Sequence, residues 1–130
     1  MSGEMMNHNM VALIVAKPGR VRDGLYTLLK MMPEVRSISQ ADDEASALSM
    51  IIEQHPALVL LDTDLPDNKA QRILTWLKTE WSQTQCLVLA ANSQEQQMAY
   101  AAGADGVLLK GYPAAMLFAT IERLFYQEKM

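Results

Sequence analysis

Three ionisable residues each follow a short apolar run: Lys17 after VALIVA (11–16), Asp62 after ALVLL (57–61) and Lys110 after GVLL (106–109). If those runs are strands of one parallel sheet, all three lie at its carboxyl edge, where open α/β sheets place their sites. Asp62 then has two uses. It is either the reacting or ion-pairing group of a pocket, or a cap for the next turn through its side-chain oxygens. Lys17 either turns inward to pair with Asp62 or runs its stem along the sheet edge and leaves its ammonium in water. Other chemical signals are weak. Gly19 and Gly24 nearly fit a phosphate-binding loop, but Leu25-Tyr26 stands where Lys and Ser or Thr are required, and no G-x-G-x-x-G occurs. His8 and His55 lack partners at metal-ligand spacing, Cys86 begins an apolar run, and Asp42-Asp43-Glu44 reads as a helix start. No nucleophile–base pair is evident, which disfavours a small enzyme.

The elements that must position these residues follow from periodicity. VALIVA is a near-continuous apolar strand, and Val21, Leu25, Leu28 and Leu29 then recur at helical spacing. VRSIS (35–39) alternates and belongs nearer a sheet edge. Asp42 and Asp43 cap a helix with a predicted stripe of Ala45, Leu48, Ile51 and Ile52. ALVLL is the most hydrophobic strand. The LPDN turn (65–68) leads to a helix that turns Ile73, Leu74, Leu77 and Trp81 inward. CLVLAA (86–91) is a fourth strand, Gln94 to Ala102 a short helix closed by Gly103, and GVLL a fifth strand. Pro113 opens a last helix with Leu117, Ile121 and Leu124 on its core side. Five strands alternating with five helices predict a doubly wound (βα)₅ fold with a parallel five-stranded sheet, of the flavodoxin-like type. Its carboxyl ends are marked by Ala16-Lys17, Asp62, Ala90 and Lys110.

Composition bounds the rest. The 130 residues suit one domain, read as 11–128 after a disordered leader at 1–10, with half the residues hydrophobic and a fifth charged. A net charge of −4 offers no general attraction to nucleic acid or anionic lipid. A single cysteine excludes an internal disulfide, and the N-terminal stretch lacks the basic and apolar regions of a signal peptide. The expectation is a cytoplasmic protein with no membrane span. The chain ends after the last helix, so no DNA-binding output domain is expected within it.

With these residues in order, the chain from about Val11 to Leu124 resembles the receiver domain of bacterial two-component response regulators. LVLLDTDLP (58–66) is similar to the family's phosphoacceptor strand, and AAGADGVLLK (101–110) to the segment ending in its phosphate-binding lysine. VRD (21–23) and GLYTLL (24–29) resemble the first helix of the branch fused to LuxR-type helix-turn-helix domains. The resemblance implies phosphoryl transfer from a histidine kinase to an aspartate. Magnesium is held there by an acidic pair after the first strand, the aspartate itself and a carbonyl two residues later. A hydroxyl after the fourth strand and the lysine bind the phosphoryl oxygens. By that correspondence Asp62 is the acceptor position, the Asp64 carbonyl a metal ligand and Lys110 the phosphate-binding lysine.

Elsewhere the chain departs from the family. Ala16 and Lys17 stand where the acidic pair belongs, Ala90 where the hydroxyl belongs and Val107 where an aromatic switch belongs. The Ala90–Lys110 spacing is slightly short, and Asn92 or Ser93 is the available substitute for the hydroxyl. A family pocket carries three carboxylates and one lysine. Here Asp62 faces Lys110 and Lys17, a net of +1, or zero if Asp64 turns inward, leaving a dication little reason to enter. Asp62 and Asp64 are thus vestigial metal positions and no cofactor is expected, magnesium only if the pocket still works. Lys17 is expected to take the metal's place against Asp62, a buried pair whose loss would cost about 3–5 kcal/mol.

The functional expectation is an atypical, phosphorylation-independent protein-interaction module. A working receiver phosphorylated on Asp62 is the alternative, and a small doubly wound enzyme a remote one. Its partners would be signalling proteins, a histidine kinase or output protein among them, or a second copy meeting through the last helices. Phe118, Phe125 and Tyr126 are the interface candidates, although both phenylalanines suit an ordinary core as well.

Overall fold

The alternation of apolar and amphipathic stretches resolves, in a computed structural model that describes residues 10–126, into five strands and five helices in βα order. They are β1 (Met10–Val15), α1 (Arg20–Lys30), β2 (Val35–Ala41), α2 (Glu44–Gln54), β3 (Leu58–Asp62), α3 (Lys69–Glu80), β4 (Gln85–Ala90), α4 (Ser93–Ala101), β5 (Gly106–Leu109) and α5 (Ala114–Tyr126). Met10, grouped with the leader by sequence, opens β1 and donates its N–H to the Glu34 carbonyl. The leader residues 1–9, with His8, and residues 127–128 lie outside the described residues.

All pairs are parallel in the order β2-β1-β3-β4-β5, the doubly wound (βα)₅ arrangement expected. Winding reverses between β1 and β3, which leaves a crevice at their carboxyl ends. The weak strand β2 is at an edge and the fully buried β3 is central.

Strand side chains alternate between two cores. Leu13, Val15, Val59, Leu61, Val88, Ala90 and Val107 face α2, α3 and α4 through Ala47, Ile51, Ile73, Leu77 and Ala99. Ala12, Ile14, Ala16, Leu58, Leu60, Leu87, Leu89 and Leu108 face α1 and α5 through Leu25, Leu29, Leu117, Ile121 and Leu124. Covering both faces is why the strands read as continuous apolar runs. Each fully buried Leu or Ile contributes roughly 1.5–3 kcal/mol, so the strand ends are carried on a stiff frame.

Three packing expectations change. In α2, Asp43 alone is the cap, accepting the Ser46 N–H at 2.8 Å. The buried residues are Ala47 and Ile51, while Ala45 and Ile52 face outward. α2 is apolar on more than one side, so periodicity alone leaves its rotation open; the cap and packing against the sheet settle it. Val21 of α1 is exposed, not part of the buried stripe. Trp81, expected inward, is the C-cap of α3 and only partly buried, packing against the edge of the core under α2, α3 and α4 with its ring centroid 4.8 Å from that of His55. The LPDN turn places Asp67 and Asn68 both at positive φ, a conformation these two residue types tolerate better than most.

Candidate functional site

Asp62 is the last residue of β3, and its side chain is 5 % exposed. One of its oxygens, Oδ1, accepts the Asp64 backbone N–H at 2.9 Å and lies 2.7 Å from the Lys110 ammonium. Lys110 reaches it from the far side of β4, just past the end of β5, anchored by its own N–H donating to the Ala90 carbonyl at 2.9 Å. Thr63 N–H donates to the Leu89 carbonyl at 3.1 Å, fixing the register between the β3 and β4 ends. Asp62 and Lys110, which the sequence places at the same carboxyl edge, thus form an ion pair.

Lys17 does not pair with Asp62. Its Nζ lies 3.1 Å from Asp64 Oδ2, and both side chains are more than half exposed. Asp62 is already occupied by Lys110 and the Asp64 N–H. Lys17 reaches Asp64 while staying in water, so it avoids the desolvation that pairing with a buried carboxylate would require. The Lys17 hydrogen bond and charge, followed by the Lys110 charge, hold the Asp64 carboxyl below the usual carboxylate range. Asp62 and Asp64 are thus each matched by one ammonium group, Asp62 in the interior and Asp64 at the rim.

The residues that would hold magnesium do not fit it. Ala16 is fully buried and has no side-chain donor, and Lys17 puts a cation on the Asp64 carboxylate. Among the described residues no three His, Cys, Asp or Glu side chains converge as metal ligands.

Ala90 is fully buried and Val107 nearly so, both packed in the core beneath α4. Asn92 does not substitute for the missing hydroxyl. It is the N-cap of α4, its Oδ1 accepting the Glu95 N–H at 2.9 Å. Ser93 is exposed in the first turn of that helix.

Sequence reasoning missed Thr63 and Glu95. Thr63 Oγ1 donates to Glu95 Oε1 at 2.7 Å, and the same oxygen accepts the Ala91 N–H at 2.8 Å. These bonds, the Ala91 one first, hold the Glu95 carboxyl below its ordinary value; Lys110 adds to the effect and Asp64 opposes it. The only sequence hint was the Asn92-x-x-Glu95 spacing of a capping box. Thr63 and Glu95 also line a groove of about 320 Å³ between α3 and α4, with Leu61, Leu65, Leu74 and Met98.

Of the interface candidates, Phe118 and Phe125 are half-buried and pack onto the α1/α5 core, whereas Tyr126 is exposed.

Comparison with known proteins agrees with this fold. The sequence profile of the response regulator receiver domain matches residues 12–122. The transcriptional regulatory protein DegU of Brevibacillus brevis is 23 % identical over 92 % of this chain and 52 % of its own length. The DNA-binding transcriptional activator DevR/DosR of Mycobacterium tuberculosis is 30 % identical over 69 % of this chain and 42 % of its own. This chain thus spans about half the length of the curated relatives it matches. A LuxR-family two-component response regulator from Aurantimonas superposes with a TM-score of 0.81 at 23 % identity, covering 90 % of this chain and 85 % of that one. The signal receiver domain of a LuxO repressor protein from Vibrio parahaemolyticus gives 0.78 at 21 %, covering 91 % of each.

Proposed function

This chain belongs to the response regulator receiver domains of two-component signalling, and on that premise we propose that it acts as a protein-interaction module whose output does not depend on phosphorylating Asp62. The observation that carries this reading is the end of β1, where the buried Ala16 offers no ligand and Lys17 places its ammonium 3.1 Å from the Asp64 carboxylate instead of supplying a carboxylate of its own. Phosphoryl transfer to a carboxylate brings like charges together and needs a metal to neutralise oxygens on both sides. Here the charge that would attract a dication is already cancelled from within the chain.

Output fails at a second point. A switch needs two states whose contacts with the phosphoryl group differ. Ala90 has no hydroxyl to recruit and Val107 no ring to swing. The surface formed by the last helices therefore stays in one conformation. It meets other signalling proteins, a histidine kinase or output protein among them, or a second copy of the chain, with Tyr126 outermost and Phe118 and Phe125 at its flank. The acidic net charge argues against direct nucleic-acid binding. No described helix is long and apolar enough to cross a membrane, in keeping with a cytoplasmic location. An enzymatic role is disfavoured too. The one hydroxyl–carboxylate pair in the groove, Thr63–Glu95, has a carboxylate of lowered pKa, which makes a poor base for an alcohol.

Treatment with acetyl phosphate and magnesium is expected to leave the intact mass unchanged. The surviving Asp62–Lys110 pair favours one second reading, a working receiver with an unusual site. A stoichiometric phosphate adduct mapped to Asp62 would establish that reading instead.

A further inference from the structure

We propose that Glu95 is the resident anion of this pocket. Its carboxylate occupies the Ala91 N–H and the Thr63 hydroxyl, the donors an incoming phosphate would need, and so keeps the site closed to anions and pins the β3–α3 loop to the start of α4. This rests on the reading of a phosphorylation-independent receiver and adds the residue that holds it in one state.

Position comes first. Ala91 follows the last residue of β4, beside the strand that ends in Asp62. Lys110 N–H is bonded to the Ala90 carbonyl next door, and Leu89 is the residue paired with Asp62 across the sheet. The Ala91 N–H therefore lies at the same carboxyl edge as Asp62 and the Lys110 ammonium. Thr63, one residue past Asp62, supplies a second donor from the neighbouring loop. A hydroxyl, a backbone N–H and an ammonium at one strand edge are a suitable donor set for a phosphate. The first two converge on a single oxygen of Glu95, at 2.7 and 2.8 Å.

A helix cap does not account for this arrangement. In a capping box the glutamate returns to the backbone N–H of the cap residue itself, here Asn92. Glu95 instead accepts from Ala91, one residue earlier, and also takes a hydroxyl 32 residues away in sequence. The bond to Thr63 does nothing for α4; it joins two loops. The charge of Lys110 favours the ionised carboxylate and that of Asp64 opposes it, so Glu95 is within electrostatic reach of these two pocket residues.

The test uses the full 130-residue chain, ¹⁵N-labelled and metal-free, titrated with inorganic phosphate while the Ala91 and Thr63 amide signals are followed. Wild type is expected to show only weak, non-saturating shifts. Glu95→Ala should bind phosphate about tenfold more tightly or better, because the competing charge and its hydrogen bonds are both gone. Glu95→Gln, which keeps an acceptor oxygen and so protects the fold, should fall between. If both variants bind phosphate no better than wild type, Glu95 is a helix cap and the inference is wrong. Phosphate in the titration never reacts with Asp62, so this outcome is separate from the mass measurement that tests the proposed function.

Discussion

Lys17 and Asp64 form an exposed ion pair 3.1 Å apart, two residues in sequence beyond the buried aspartate that a lysine at this position was expected to meet. The consequence is a division of labour. Lys110 neutralises the buried Asp62, and Lys17 neutralises the carboxylate at the rim. An exposed pair contributes little to stability, so the effect of Lys17 is on the charge of the pocket.

Lys17→Asp is therefore expected to raise magnesium affinity with little change in stability. It removes the cation from Asp64 and puts a carboxylate at the end of β1, shifting the local charge by two units. Isothermal titration with magnesium checks this, and an affinity equal to wild type would contradict it.

Lys110 has the opposite character. Asp62 is 5 % and Lys110 28 % exposed on their side chains. Lys110→Met would leave a buried carboxylate with only the Asp64 N–H among its observed partners. Breaking a fully buried pair costs about 3–5 kcal/mol; allowing for the partial exposure of the lysine, a loss of roughly 1–3 kcal/mol is expected. Asp62→Asn combined with Lys110→Met should recover part of it, since no buried charge remains. Urea unfolding of the three proteins measures both effects.

These cases show which parts of the site could be read in the chain. Asp62 and Lys110 were legible at one edge because each ends a short, strongly apolar run in a parallel topology, and Lys110 was raised above a solvated lysine only by the family resemblance of GADGVLLK. The partner of Lys17 was not. Asp62 and Asp64 are two residues apart, and the choice depends on Lys110 having already filled the buried site from another strand. Glu95 was hidden for a similar reason, since its local spacing signals only a cap and Thr63 lies in a different loop. The rotation of α2 was ambiguous because Ala45, Ala47, Leu48, Met50, Ile51 and Ile52 leave it apolar on several sides. The Lys78–Asp105 contact at 2.8 Å, which braces the turn before β5 against α3, joins residues with no local motif at all.

Burial also separates the aromatic residues of α5. Phe118 and Phe125 pack on the core, so truncating either to alanine should cost about 1–3 kcal/mol, less than the full-burial value. Tyr126 is exposed, and Tyr126→Ala should leave the unfolding midpoint unchanged while weakening any self-association. Light scattering at several concentrations, alongside thermal melts, distinguishes the two effects. Asp62→Asn should leave association as in wild type; if it abolishes association and Tyr126→Ala does not, the pocket governs the surface.

Cys86 provides an internal probe of opening. It is fully buried in β4, and burial pushes its thiol up to about 12. At neutral pH it holds almost no thiolate, the reactive form. Alkylation should be negligible in the native state and should appear only as the sheet unfolds. Labelling rates across a urea series are expected to follow the same transition as circular dichroism, and rapid labelling in native buffer would show that β4 is accessible.

The last prediction concerns acid. Glu95 has its carboxyl held below the ordinary value of 4.5, first by the Ala91 N–H and the Thr63 hydroxyl, then by Lys110, with Asp64 and partial burial acting the other way. The folded chain therefore binds fewer protons at this position than the unfolded chain in the acidic range. Its contribution to stability is complete above about pH 4.5 and is lost as pH falls through the lower, folded value. Asp64, lowered by Lys17, and Asp43, lowered by the Ser46 hydrogen bonds, titrate in the same direction. Acid destabilisation of wild type alone would not isolate Glu95, but the difference from Glu95→Gln does. The glutamine variant keeps an acceptor oxygen and lacks the charge, so it should be less stable than wild type at pH 7, by no more than about 1 kcal/mol after solvent screening. The gap should narrow on acidification and close once Glu95 is protonated in both states. Urea midpoints for the two proteins between pH 7 and pH 3 measure it. A gap that stays constant across that range would mean that the Glu95 charge does no work at the pocket edge.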